Sequence, residues 1–263
     1  MEGIFLAKGD ILDQNLCIEV SKNVDCIVHL AANTGVPQSV ESPRKDMETN
    51  IIGTFNMLEA ARINGVKQFV FASSGAPAGE IEPPIHEEIA PHPVSPYGSS
   101  KLAGEGYCSS YSRTFGINTI ALRFGNVYGP GSKHKSSVVA KFIKNVLNDF
   151  PCEIYGDGSQ TRDFIYVDDL VSAIIKASNK EKGGEIFQIA TSIERTVNEI
   201  AEITKQQFWE YHKIKMRIIY GKKRPGDVMR NYSDVSKAKK ILKWEAKVDI
   251  DTGIRKTIQY FVN

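Results

Sequence analysis

Residues 26–32 read C-I-V-H-L-A-A, and residues 68–73 read Q-F-V-F-A-S. Each run is almost continuous in apolar, β-branched or aromatic side chains, without the strict alternation of a strand that buries only one face. Runs of this kind belong inside a parallel sheet with helices on both faces. Working outward, candidate strands fall at residues 3–7, 25–31, 68–72, 118–124 and 185–189. Amphipathic stretches with helical spacing lie between them, at residues 46–63, 96–115 and 167–178. Strand and helix alternating in this way predict a doubly wound α/β fold. After Gly125 the rhythm loosens into a mixed region rich in Gly, Asp, Lys and Arg, with one helix starting near Thr196 and another near Asp251. This region reads as a smaller mixed α/β substrate-binding lobe. The expected division is residues 1–125 and 126–263, with 163–190 returning to the sheet.

Composition narrows the function. A chain of 263 residues, 41% hydrophobic and 24% charged, can bury one large core or two modest ones. Its net charge of +2 is spread along the chain, apart from mixed runs at 217–230 and 237–243, which argues against nucleic acid as the main partner. Cys17, Cys26, Cys108 and Cys152 form no C-x-x-C pair, so neither zinc nor a disulfide framework is indicated, and a reducing cytoplasm is expected. No apolar run approaches the roughly 20 residues of a membrane span, and the first ten residues have no basic start of a signal peptide. His86-Glu87-Glu88 with His92 has the wrong spacing for a zinc-binding helix and sits among prolines, so it reads as solvated loop. Asp168-Asp169 suits the start of a helix better than a paired-carboxylate site. No metal is expected.

The stretch V-S-P-Y-G-S-S-K, residues 94–101, carries the chemistry. Ser95 is a good N-cap and Pro96 suits the first helical position, so Tyr97 and Lys101 share one face of the opening turns. An ammonium near a phenol favours the phenolate and lowers its pKa, which suits a general base acting on a sugar hydroxyl. Alone, the pair is weak, since an aromatic residue and a lysine often lie four apart. It gains weight from F-A-S-S-G upstream, which places Ser73 and Ser74 at the carboxyl end of a strand, where open α/β sheets bind ligands.

Taken with G-D-I, V-H-L-A-A, N-I-I-G-T, R-F-G-N-V-Y-G-P-G, Y-G-D-G-S-Q-T-R-D-F-I-Y-V-D-D and R-P-G-D, these motifs make the chain resemble the extended short-chain dehydrogenase/reductase family, and within it the nucleotide-sugar epimerases and dehydratases. The resemblance implies a Rossmann fold and NAD as cofactor. It implies Ser74, Tyr97 and Lys101 as the catalytic trio, with Lys101 also holding the nicotinamide ribose. By the same carry-over, Asp10 and Ile11 meet the adenine, Leu30, Ala31 and Ala32 line the dinucleotide, and Thr49 or Asn50 lies near it. A nucleotide-diphosphate sugar would be clasped by Arg162 and Arg224, with Asp227 on the ribose, Tyr155 and Glu153 along the base, and Asn126 on a phosphate or hexose oxygen. Asn231 stands where relatives set the room around the sugar, and its small size favours N-acetylated hexosamines alongside plain hexoses. Relatives also pair the helices at 46–63 and 96–115 into a homodimer.

Three features set against the family pattern matter. Gly75 and Ala76 follow Ser74, where sugar 4,6-dehydratases carry an acid pair, and this points to 4-epimerisation through a transient ketone. Pro77-Ala78 also replaces a common Val-Tyr. The family's G-x-x-G-x-x-G and the acid that ends its second strand would precede Gly9, and residues 1–8 contain neither. The sequence therefore predicts an opened sheet centre and weak NAD binding. It leaves two readings: an epimerase, or a short non-catalytic form that binds a sugar nucleotide or a partner subunit. Another dehydratase or reductase of the same family is the remaining alternative.

Overall fold

Buried along most of its length, the run at Gln68–Ser74 is a strand in the computed structural model, which describes residues 3–223 and 228–263. In chain order the elements are α1 (Gln14–Val20), β1 (Cys26–His29), α2 (Val36–Glu41), α3 (Pro43–Met47), α4 (Gly53–Asn64), β2 (Gln68–Ser74), α5 (Pro96–Phe115) and β3 (Asn118–Phe124). There follow β4 (Asn126–Tyr128), α6 (Val138–Leu147), β5 (Cys152–Tyr155), β6 (Thr161–Arg162), β7 (Phe164–Tyr166), α7 (Val167–Ser178), β8 (Glu185–Ile189), β9 (Arg195–Thr196), α8 (Val197–His212), β10 (Ile218–Gly221) and α9 (Ile250–Val262). The chain divides into two units. One holds the described residues through Ile81 with Glu87–Arg123 and Ile174–Phe187; the other holds the described residues of Glu82–His86, Phe124–Ala173 and Gln188–Asn263.

The first unit is built on the sheet β1-β2-β3-β8. β1 and β2 run parallel, with Cys26 opposite Gln68 and His29 opposite Phe71. Ile27, Phe69, Phe71 and Ala121 of the sheet meet Leu58 and Ala61 of α4 and Cys108 and Tyr111 of α5 in one apolar cluster. β2 and β3 are buried through their central five residues, as their continuous apolar runs require. β1 has the open edge expected from the sequence, but it is less buried than its apolar run suggests. It stands at the sheet edge, hydrogen-bonded on one side only, so Val28 is 39% exposed despite the apolar run around it. The expected strand at residues 3–7 does not form. Ile4, Phe5 and Leu6 are exposed and make no ladder, because among the described residues no strand lies beside them to accept one.

The long helix expected over residues 46–63 is broken. α3 starts on Pro43, the backbone widens into a π-type turn over Glu48–Ile52, and α4 begins at Gly53. Gly53 lets the Ile11 side chain approach closely: a Cβ would lie 2.4 Å from its Cδ1, which would have to move. α5 follows its sequence signals closely. Ser95 caps it by accepting from the Gly98 amide at 3.1 Å, Pro96 opens it, and Gly116 ends it in the left-handed region at φ 70°.

An ion pair fixes α5 on the sheet. Arg123 of β3 donates through Nε and a terminal nitrogen to the two oxygens of Glu105 at 2.8 and 2.7 Å, and Ser73 donates its hydroxyl to Glu105 Oε1 at 2.5 Å. Glu105 and Arg123 are each 2% exposed. A bidentate guanidinium fork of this kind sets position as well as charge.

The second unit has its own apolar core, formed by Phe142, Ile143 and Val146 of α6, Ile200 and Phe208 of α8, and Ile254 and Ile258 of α9. Its strands pair as β4 with β7, β5 with β10 and β6 with β9. Thr196 and Glu199 form a reciprocal capping box at the start of α8. Asp169 is not part of a carboxylate pair: it is buried and accepts the Lys247 and Val248 amides at 3.0 and 2.9 Å. All four cysteines carry free thiols. Among the described residues no helix is long and apolar enough to cross a membrane, and no cluster of His, Cys, Asp and Glu suits a metal ion.

Replacing Arg123 by Met should destabilise the protein by about 3–5 kcal/mol, because Glu105 is left buried and unpaired. The double variant Glu105→Leu/Arg123→Met should recover most of that loss. Equilibrium urea unfolding of both variants measures the difference.

Candidate active site

The carboxyl end of β2 and the first turns of α5 bring Ser74, Tyr97 and Lys101 together. Ser74 is half-buried, and its hydroxyl accepts the Ala76 amide at 3.2 Å, which starts the tight turn Ala76–Ala78. That turn seats closely on the start of α5: a Cβ at Gly98 would lie 2.7 Å from the Ala76 carbonyl oxygen. Lys101 is 3% exposed and donates from Nζ to the Ala72 carbonyl at 2.8 Å, its one hydrogen-bond acceptor among the described residues. The ammonium stands 4.9 Å from the Phe71 ring centre and 5.9 Å from that of Tyr97, close enough for both rings to favour the cation.

Burial governs the electrostatics of this group. It pushes the Lys101 pKa down to about 8, against the opposing charge of Asp46 and smaller effects of Cys108 and Glu105. The lysine is therefore a cation at neutral pH. Burial also raises the Tyr97 phenol above its ordinary value; the hydrogen bond with Ser74 pulls it down and the Asp46 charge pushes it up. The sequence predicts a phenol lowered by Lys101. Here the ammonium is turned to the Ala72 carbonyl, and desolvation outweighs it. The Cys108 thiol is fully buried in α5 and shifted upward by that burial, an inert structural cysteine.

A second layer surrounds the trio. Asn50, in the widened turn, is buried, accepts the Asn33 amide at 2.7 Å and returns its own amide to the Asn33 carbonyl at 2.9 Å. The same amide nitrogen reaches Asp46 Oδ1 at 3.0 Å and Ser100 Oγ at 3.2 Å. Thr54 Oγ1 donates to the Asn50 carbonyl at 2.6 Å, so its contact with His29 Nε2 at 3.1 Å must take the imidazole proton. Asp46, Asn33, Ser100 and His29 escape sequence reasoning. The one available signal is the four-residue spacing of Asp46 and Asn50, which puts both on one helical face.

Of the remaining expected positions in this unit, Asp10 turns its carboxylate onto the Leu12 amide at 3.0 Å. The Ile11 carbonyl takes the Asn56 amide at 3.0 Å. Leu30 and Ala31 are exposed beyond β1, Ala32 is half-buried beside Asn33, and Thr49 is half-buried next to Asn50.

In the second unit Asn126, Glu153, Tyr155 and Arg162 line one pocket, with Lys141 and Gln160. Lys141 donates to the Tyr155 hydroxyl at 3.1 Å and lies 5.0 Å from its ring centre. Arg162 donates to the Thr161 and Val228 carbonyls at 2.6 and 2.7 Å. Asn231, half-buried, bonds through its amide to Thr161 Oγ1 at 3.4 Å. Lys141 is a pocket cation that its apolar helix, V-V-A-K-F, does not advertise. Arg224 and Asp227 lie outside the described residues.

With this geometry in place, the comparisons with known proteins are unambiguous. Residues 2–190 match the model of the NAD dependent epimerase/dehydratase family. The chain belongs to that family. It is 40% identical, over 97% of its length and 83% of the relative's, to a Methanocaldococcus jannaschii protein provisionally classed as a UDP-glucose 4-epimerase. The crystal structure of a UDP-glucose 4-epimerase from Thermotoga maritima, solved with UDP-glucose, is 35% identical and superposes with a TM-score of 0.92 over 100% of this chain and 85% of that one. A UDP-N-acetylglucosamine 4-epimerase from Methanobrevibacter ruminantium, in complex with UDP-N-acetylmuramic acid, is 30% identical with a TM-score of 0.93, over 99% of this chain and 84% of that one. The α/β fold with a parallel central sheet is that of these epimerases.

The residues of the first unit fit the family's cofactor at its ribose and nicotinamide end. Lys101 carries a charged group with a single protein acceptor, and the buried Asp46 Oδ2 has no hydrogen-bond partner. The ammonium, 5.9 Å from the Tyr97 ring centre, offers a charged donor beside the phenol, which suits a polyhydroxylated ring.

His29 gives the first unit an acid-sensitive point. Burial, and to a smaller extent the Lys101 charge, lowers its pKa from 6.5 to about 4. The folded value lies below the unfolded one, so its contribution to stability is complete above pH 6.5 and is lost as pH falls toward 4. The loss attributable to this group is about 3 kcal/mol. Urea unfolding at pH 7.5 and pH 4.5 should show a smaller acid loss in His29→Leu than in the wild type.

Proposed function

We propose that this protein is an NAD-dependent 4-epimerase of a nucleotide-diphosphate sugar, a UDP-hexose or UDP-N-acetylhexosamine, acting through a transient 4-ketone. The observation that carries the reading is the strand end after Ser74, where Gly75 and Ala76, packed against Gly98 at the start of α5, bring no carboxylic acid to the Tyr97 group. A dehydration needs an acid and a base at further sugar carbons. An oxidation and reduction at one carbon needs, besides a hydride acceptor, only one acid/base oxygen, that of Tyr97.

In this reading Tyr97 removes the proton from the sugar 4-hydroxyl and returns it, while Ser74 bonds the same oxygen. Lys101 binds the nicotinamide ribose and lends its positive field to the developing phenolate. Bound NAD supplies a reversible two-electron acceptor, so the cycle closes with no net redox change. Asp10, Ile11, Leu30, Ala31 and Ala32 line the dinucleotide, and Asn50, with Thr49 beside it, fixes the loop that follows them. Asn126, Glu153, Tyr155 and Arg162 take the nucleotide part of the substrate, where a guanidinium matches a diphosphate well. Arg224 and Asp227 complete that assignment, with Asn231 setting the room for an N-acetyl group.

Tyr97→Phe removes the acid/base oxygen and almost no volume. Turnover of the sugar nucleotide should fall by about 10²–10⁴-fold. Calorimetry should find its affinity nearly unchanged. Near wild-type turnover would remove Tyr97 from the chemistry and the epimerase reading with it.

We also propose a homodimer through α4 and α5. Phe55, Tyr107, Tyr111 and Phe115 form a continuous chain of edge-to-face rings along these helices, and Ile63, Tyr107 and Phe115 are 48%, 38% and 49% exposed. An aromatic face of this kind fits a second copy of itself. Sedimentation at micromolar concentration should give the mass of a dimer, and a stable monomer would contradict the pairing.

A further inference from the structure

Four charged side chains are buried among the described residues of the first unit: Asp46, Lys101, Glu105 and Arg123, at 1%, 3%, 2% and 2% exposure. A buried charge without a counter-charge is costly, so the four should resolve into pairs. Glu105 is already taken. Its two oxygens receive two nitrogens of Arg123 and the Ser73 hydroxyl. Lys101 and Asp46 remain, and neither has a charged group in direct contact. Lys101 is bonded to the Ala72 carbonyl, Asp46 Oδ1 to the Asn50 amide, and Asp46 Oδ2 is buried with no partner. Asn50 also holds Ser100, the residue before Lys101, so Asp46 is tied to the same turn of α5 as the lysine.

We propose that Asp46 is the counter-charge of Lys101, a positioning residue whose buried carboxylate keeps the lysine cationic beside Tyr97. The assignment of Lys101 to the catalytic trio rests on the function proposed above; the charge pairing does not. The other groups facing Lys101 cannot take this part. Glu105, one turn along α5, is neutralised by Arg123. Cys108 on the same helix is held as a thiol by burial. His29 on β1 is neutral at working pH and would repel the lysine if charged. β2 presents the Phe71 ring and the Ala72 carbonyl, which carry no net charge. The direction of the Asp46 effect on Lys101 agrees with the pairing, since Asp46 is the largest influence that favours the cation.

The test reads the lysine itself. The full chain is labelled with ε-13C lysine, and the Lys101 resonance, assigned by its loss in Lys101→Arg, is titrated without NAD. The wild-type midpoint should fall near 8. In Asp46→Asn it should drop by about one unit or more, the usual effect of removing a close opposite charge. Asp46→Glu, which keeps the charge, should stay above the Asn variant. An unmoved midpoint in a folded Asp46→Asn protein would overturn the proposal. Asp46→Ser is titrated in parallel. Should neither neutral variant fold by circular dichroism, the carboxylate serves the fold rather than the charge of Lys101, and the proposal also fails. A moved midpoint together with undiminished turnover in Tyr97→Phe would leave the pairing standing and sink the epimerase reading alone.

Discussion

The trio at the end of β2 depends on an ion pair that contains none of its members. Ser74 comes from a strand, Tyr97 and Lys101 from a helix, and the trio's own ties between the two, chiefly Lys101 to the Ala72 carbonyl, join α5 to β2 alone. Arg123 reaching from β3 to Glu105 of α5, with Ser73 bonded to the same carboxylate, joins all three elements at one buried point. Apolar packing of α5 on the sheet tolerates small sliding, because dispersion contacts are many and individually weak. A bidentate charged contact does not. The pair carries a desolvation cost that an apolar core would avoid, and what it gives in return is register.

Desolvation also sets the resting state of the site. Lys101, Tyr97 and His29 all move toward their neutral forms on burial, yet only the lysine keeps a charge at neutral pH, helped by Asp46. The site is therefore a cation beside a neutral phenol and a neutral imidazole. This is a suitable arrangement for a proton that must leave and return to the same oxygen, since the phenol holds it at rest and the fixed positive charge eases its departure.

Much of this was legible in the sequence, and the parts that were not share a cause. α5 was readable end to end because Ser95, Pro96 and Gly116 act through local geometry, and α7 and β3 because their apolar spacing needs no partner to be seen. The sheet's α/β character followed from the uninterrupted runs of β2 and β3. Residues 3–7 have equal strand character and form no strand, since a strand is defined by the ladder beside it. Val28 is exposed for the same reason. The break between α3 and α4 has only Gly53 as a local sign, and the Ile11 side chain that approaches it is 42 positions away. The trio itself was readable through ordered motifs shared with a large family. Asp46 was not, because an acid in an amphipathic helix ordinarily faces water, and only the packing of α3 on α5 reveals that this one is buried.

The widened turn at Glu48–Ile52 divides the segment between Pro43 and Asn64 into two independent phases. A regular α-helix advances about 100° per residue, so every position along it is coupled in azimuth to every other. Here one turn holds a residue more than a regular helix would, so the numbering on its two sides is offset by one. The stretch carrying Asp46 thereby faces α5 while α4 buries Leu58 and Ala61. A single deletion within residues 48–52 would take out the residue that the wide turn accommodates and restore a regular helix with its two faces roughly in their present relation. A one-residue deletion inside this turn should therefore be tolerated far better than one a turn earlier or later, where no spare residue exists and the change swings one face by roughly 100°.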